Sequence, residues 1–107
     1  MRGRRRFLKQ RSLFPLTKYE VLLSETARRQ LRHLPTKVQK RIKKNLAVLK
    51  DDPYQPRPKA DIKKLKGPKR VYYRLRIGNY RAMYTVEENL VKVAKILPRD
   101  KAYDWIE

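Results

Sequence analysis

Residues 63–86 read KKLKGPKRVYYRLRIGNYRAMYTV, and the fold is decided there. From Arg70 to Ile77 the chain alternates with period two. Val71, Tyr73, Leu75 and Ile77 share one side, and Arg70, Tyr72, Arg74 and Arg76 share the other. From Tyr80 to Val86 the alternation resumes, with Tyr80, Ala82, Tyr84 and Val86 opposed to Arg81, Met83 and Thr85. Period two is the signature of a half-buried strand. Gly78-Asn79 between the runs tolerates positive φ and marks a tight turn, so the stretch predicts a β-hairpin. One face of it is apolar and packs. The other carries guanidinium groups that repel one another, which suits an anionic partner.

Downstream, Leu90–Leu97 reads as another strand, with Val91 and Val93 on one side and Ala94 and Ile96 on the other. Lys92 and Lys95 break that alternation, so its faces stay unassigned. Pro98 ends it, and residues 99–107 form a short tail with a turn or two of helix from Asp100. Upstream, residues 51–62 hold three of the seven prolines and read as an extended loop. Before that loop, Ala27, Leu31 and Leu34, then Val38, Ile42, Leu46 and Leu49, recur at helical spacing. Ser24 is placed to cap the first helix, Pro35 breaks it, and Thr36 is expected to cap the second. Residues 19–23 read as a first strand. An amphipathic helical hairpin must bury its stripe, and the apolar side of the sheet is what the chain offers. The expected fold is therefore α+β: an N-terminal strand, a helical hairpin packed on a mostly antiparallel four-stranded sheet, and a short C-terminal helix or tail. Residues 1–18 carry seven basic side chains and no acidic one and are expected to be a flexible arm, either a bland extension or an extra nucleic-acid contact. Residues 19–107 form the single domain.

Composition narrows the partner. Lys and Arg number 30 against 10 acidic residues, a formal charge of +20 in 107 residues. An excess of that size favours nucleic acid, which binds cations with counterion release. The apolar runs fall short of the roughly 20 residues a membrane-spanning helix needs, so a cytoplasmic protein is expected. The chain has no cysteine and one histidine, His33, which excludes a thiolate or histidine metal site. His33 reads as a solvent-facing residue of the first helix.

Several short motifs recur in a particular order: Lys64-Leu65-Lys66-Gly67, Tyr73-Arg74-Leu75-Arg76, Gly78-Asn79-Tyr80-Arg81 with Tyr84, and Pro98-Arg99 followed by Tyr103. Their order and spacing behind a helical hairpin resemble the RelE-type toxins of the RelE/ParE toxin–antitoxin superfamily, over residues 19–105. The resemblance implies a messenger RNA endonuclease of the ribosomal A site, held in check by a RelB-like antitoxin, with no cofactor and no metal. It carries the family's catalytic positions to Arg74, Arg76, Arg81, Arg99 and Tyr103. Well-studied members have lysines where Arg74 and Arg76 stand. Lys64, Lys66, Lys69, Arg70, Tyr80, Lys40 and Lys44 are the expected RNA and ribosome contacts. Tyr73 and Tyr84 are expected to pack rather than stack on bases, and Tyr72 and Tyr80 remain open. Two other readings stand beside the endonuclease: a ParE-like inhibitor of DNA gyrase, and an inactive basic module that binds RNA or ribosomes.

RNA carries its own nucleophile. A 2′-hydroxyl held in line attacks the adjacent phosphorus and leaves a cyclic phosphate and a 5′-hydroxyl. Positioning and charge stabilisation by Arg74, Arg76, Arg81 and Arg99 would supply much of the acceleration. A guanidinium with a pKa above about 12 is no general base, so the proton acceptor is unassigned, with Tyr103 one option.

Overall fold

The computed structural model describes residues 18–102. Its elements run β1 (Glu20–Leu23), α1 (Glu25–Arg32), α2 (Thr36–Leu46), a 3₁₀ turn (Ala47–Lys50), β2 (Asp61–Lys66), β3 (Val71–Ile77), β4 (Tyr80–Glu87), β5 (Leu90–Pro98) and a second 3₁₀ turn (Arg99–Lys101). The strands form one sheet in the order β1-β5-β4-β3-β2. β1 lies parallel to β5, and every other pair is antiparallel. The architecture is α+β as expected, but the sheet has five strands rather than four.

The added strand is β2, whose first two residues belong to the stretch expected as loop. Its apolar residues Ile62 and Leu65 stand three apart among lysines, so period two is invisible in the sequence. β2 is an edge strand, and lysines along an edge discourage pairing with other chains. Of its side chains only Ile62 is buried.

Helices cover one face of the sheet. Ala27, Leu31, Ile42, Leu46 and Leu49 pack against Ile62, Leu75, Ile77, Ala82, Tyr84, Val91, Val93 and Ile96. The alternation of the hairpin holds: Leu75, Ile77, Ala82 and Tyr84 all enter this core. The faces of β5, unassigned from the sequence, are set by a bulge. Met83 pairs with Lys95 but Tyr84 pairs with Val93, so Ala94 is an extra, bulged residue. The bulge resets the alternation and brings Ile96 to the same buried face as Val91 and Val93, while Lys92 and Lys95 both fall on the other face.

β1 ends at Leu23, and α1 then serves the edge of β5. The Ser24 hydroxyl accepts from the Ala27 amide at 3.0 Å, capping α1, and donates to the Ala94 carbonyl at 2.7 Å. Gln30 Oε1 accepts from the Ile96 amide at 2.8 Å. Thr36 is the first residue of α2 and not its cap; Pro35 holds the cap position without a side-chain bond. Proline suits a helix start because its missing N–H would be unpaired there anyway.

Where the helices stop short, residues 51–60 cover the rest of the face. Tyr54 meets Tyr19 and Tyr73 edge-on, with ring centroids 6.1 and 5.5 Å apart, and Tyr73 stacks on Tyr84 at 5.6 Å. The Tyr84 hydroxyl donates to the Pro53 carbonyl at 2.7 Å. Arg57 ties the loop down through the carbonyls of Val48, Asp52 and Gln55. Lys18 and Tyr19 both donate their amides to the Lys50 carbonyl. The arm expected over residues 1–18 lies otherwise outside the described residues.

Candidate nucleic-acid interface

The face turned away from the helices carries the arginines, and strand register arranges them in rows. Asp61, Arg76 and Arg81 stand side by side on β2, β3 and β4, with Leu97 of β5 next. The neighbouring row on this face is Lys63, Arg74, Met83 and Lys95. Adjacent strands lie about 4.8 Å apart, close enough for like charges in one row to repel. Asp61 offsets that repulsion: its Oδ1 accepts from Arg74 Nη2 at 2.8 Å, and its Oδ2 lies 3.9 Å from Arg76 Nη1. The two arginines differ in access, since the Arg74 side chain is 11% exposed and that of Arg76 is 55%.

The β3–β4 turn is the focus of the cluster. Gly78 has φ 59°, in the left-handed region that glycine enters without strain. Arg81 is buried beneath the turn, and its Nη1 donates to the carbonyls of Gly78 and Tyr80, both at 2.9 Å. The Arg99 amide donates to the Asn79 carbonyl at 2.9 Å, so the chain leaving β5 is pinned to the same turn. Arg41 reaches the turn from α2; a Cβ placed on Gly78 would stand 2.8 Å from its Nη1. Arg41, Arg76, Arg81 and Arg99 therefore surround one reverse turn. Beside them a cleft of about 700 Å³ opens between α2 and the start of β2, lined by Arg41, Lys44, Lys59, Asp61 and Arg76 among others.

Such an arrangement can hold a phosphodiester. Guanidinium groups meet phosphate oxygens with two parallel hydrogen bonds, and cations fixed on strands need no reorganisation as charge develops. No group of three or more His, Cys, Asp and Glu side chains that could hold a metal is present among the described residues.

Comparison with known proteins places the chain in a family. The model of the ParE toxin of type II toxin–antitoxin systems matches residues 21–103. The chain is 35% identical over 86 residues to Toxin RelE3 of Methanocaldococcus jannaschii, covering 80% of this chain and 97% of that one. It belongs to the RelE/ParE superfamily of type II toxins. Its fold is similar to the archaeal RelE–RelB complex from Pyrococcus horikoshii OT3, with TM-score 0.66, 32% identity, and 77% of this chain and 96% of that chain covered. The RelB–RelE antitoxin–toxin complex from Methanococcus jannaschii is also similar, with TM-score 0.62, 32% identity, and 80% and 99% covered.

Within this RelE-type toxin the expected site residues separate into groups. Arg74, Arg76, Arg81 and Arg99 come together, and Lys44 joins them through the cleft. Lys40 is exposed one turn earlier on α2. Lys64 and Lys66 pair with Tyr73 and Val71, which sets them on the opposite face from Arg74. Lys69 and Arg70 precede β3, about 20 Å from Arg76 at 3.3 Å per residue. Tyr80 points to the helix side, where it lines a groove with Arg29, His33, Leu34 and Pro98. His33 is exposed, and its Nδ1 lies 2.7 Å from the Arg29 carbonyl oxygen. Tyr103 lies outside the described residues. Nothing local singles out Asp61, Lys59 or Lys63: Asp61 and Lys63 come beside the arginines through the register of β2, and Lys59 through the cleft that they border. Arg41 is one of five cations on α2, and nothing in the sequence marks it out from the others.

Proposed function

We propose that this toxin is a metal-independent endoribonuclease that cleaves messenger RNA in the ribosomal A site and so stops translation in the cytoplasm. The observation that supports the reading best is the gathering of Arg76, Arg81 and Arg99 round the β3–β4 turn, with Arg74 on the same face. A scissile phosphate seated there meets Arg76 and Arg99 from solvent. Arg81 shapes the turn beneath and adds its charge. The 2′-hydroxyl attacks in line, and the arginines stabilise the charge that builds on the phosphoryl oxygens. Tyr103 is the proposed stacking residue for a base. The antitoxin partner follows from family membership and from the solved relatives, which are RelE–RelB complexes.

Primer extension on programmed ribosomes tests this reading. New 5′ ends within the A-site codon are expected with the wild-type chain and not with Arg76→Ala. Arg81→Ala is expected to abolish cleavage too, but that side chain also clamps the turn, so its melting must be measured alongside. Ribosome binding without cleavage would point to an inactive module.

The ParE model match favours a second reading, a non-nuclease inhibitor of DNA gyrase. Inhibition of supercoiling by a chain that yields no new RNA ends would establish it.

A further inference from the structure

We propose that Asp61 is the general base that takes the proton from the attacking 2′-hydroxyl. The proposal rests on the endoribonuclease reading and supplies the group that four arginines cannot provide, since a guanidinium does not give up its proton near neutral pH. Asp61 is the carboxylate that the strand register sets in line with Arg76 and Arg81. Its Oδ1 is engaged by Arg74 at 2.8 Å, which fixes the orientation of the carboxylate. Its Oδ2 stands 3.9 Å from Arg76, beyond a hydrogen bond, and keeps room for a hydroxyl. The side chain is 53% exposed and lines the cleft of about 700 Å³ between α2 and β2, so a ribose can reach it. A phosphate held by Arg76 in the middle of the row has Arg81 on one side and Asp61 on the other. In-line attack needs this polarity, with the base beside the nucleophile and cations beside the phosphoryl and leaving oxygens.

The 2′-O–H bond breaks and its proton passes to Asp61 Oδ2. The 2′-oxygen bonds to phosphorus, and the bond from phosphorus to the 5′-oxygen breaks with its electron pair staying on that oxygen. Water protonates the departing 5′-oxygen. The products are a 2′,3′-cyclic phosphate and a 5′-hydroxyl, and Asp61 returns its proton to solvent. A positioned general base contributes about 100-fold or more.

Single-turnover cleavage of messenger RNA on programmed ribosomes tests the assignment with the full chain. Asp61→Asn keeps an oxygen for Arg74 but cannot accept a proton, Asp61→Ala removes both, and Asp61→Glu restores a carboxylate. A general base predicts that Asn and Ala lose cleavage alike, by about 100-fold or more. It predicts partial recovery with Glu, unchanged ribosome affinity, and loss of the solvent deuterium isotope effect in the Asn variant. Asn behaving like wild type while Ala fails would mean that Asp61 only holds Arg74, and would overturn the proposal. So would unchanged cleavage in both. Absence of cleavage by the wild-type chain would overturn the endoribonuclease reading itself, an outcome distinct from either.

Discussion

The two faces of the β3–β4 hairpin are built from the same two strands and obey opposite rules. On the helix side, Leu75, Ile77, Ala82 and Tyr84 are sealed from water, and their worth lies in the area they bury. On the other side, Arg74, Arg76 and Arg81 sit within one or two strand spacings of each other. Asp61 and the turn carbonyls offset part of the repulsion. Packing alone gives no reason to gather cations in this way, and a partner rich in phosphate does. The difference teaches that the packed face answers to stability while the arginine face carries the proposed function, so mutations on the two faces should separate cleanly in their readouts.

The largest expected break of that separation is Leu75→Asp. Leu75 is 1% exposed in the middle of the packed face, and a carboxylate there would be buried without a partner, at a cost of several kcal/mol. The variant should show no cooperative unfolding transition by circular dichroism, whereas Leu75→Met, close in volume, should keep one.

Arg76→Ala should do the reverse. Its side chain is 55% exposed and its contact with Asp61 is long, so stability should stay within about 0.5 kcal/mol in urea denaturation. Messenger cleavage should fall about 100-fold, the scale of one lost donor to a developing oxyanion. A variant that loses stability as much as activity would place Arg76 with the structural residues and blur the contrast between the faces.

How much of this contrast was legible depended on periodicity. The hairpin, the helical stripe and the burial of Tyr84 follow from side-chain alternation within a few residues, which sequence preserves. The bulge at Ala94 and the strand at Asp61–Lys66 do not. A bulge is defined by what the partner strand does, and β2 is held by its neighbour on one side more than by its own apolar pattern. The site divides the same way. Arg74, Arg76 and Arg81 stood out because they interrupt an apolar alternation. Asp61 and Arg41 matter through contacts with residues 13 or more positions away, and local reading has no access to those.

Tyr84→Phe sharpens the comparison by changing only the packed face. It removes one hydrogen bond and leaves the Pro53 carbonyl without that donor, at a cost of about 1 kcal/mol. For a domain of this size that lowers Tm by about 4–8 °C, and cleavage by the folded protein should not change. Burial also pushes the Tyr84 hydroxyl well above its ordinary value of 10.0. The folded state thus holds this proton more tightly than the unfolded chain does. The stability it lends is complete below pH 10.0 and declines as pH rises beyond it. The wild-type chain should lose more stability than Tyr84→Phe between neutral and strongly alkaline pH.

The smallest effect expected is at Asp52, and it has the opposite sign with pH. The Asp52 carboxylate accepts the Tyr54 amide at 2.8 Å and the Gln55 amide at 3.2 Å. The Tyr54 amide, chiefly, draws its pKa below the ordinary 3.8. The folded state therefore binds this proton less tightly than the unfolded chain, so the contribution is present above pH 3.8 and fades as pH falls below it. Asp52→Asn keeps one acceptor oxygen but has nothing to titrate, so its urea midpoint should fall less steeply than that of the wild-type chain on acidification. The loop it organises places Tyr54 against Tyr73 and Pro53 under the Tyr84 hydroxyl, all on the packed side. Cleavage near neutral pH should be unchanged. A drop in cleavage without a drop in stability would show that residues 51–60 serve the arginine face as well, and the division between the two faces would then end at the edge of β2.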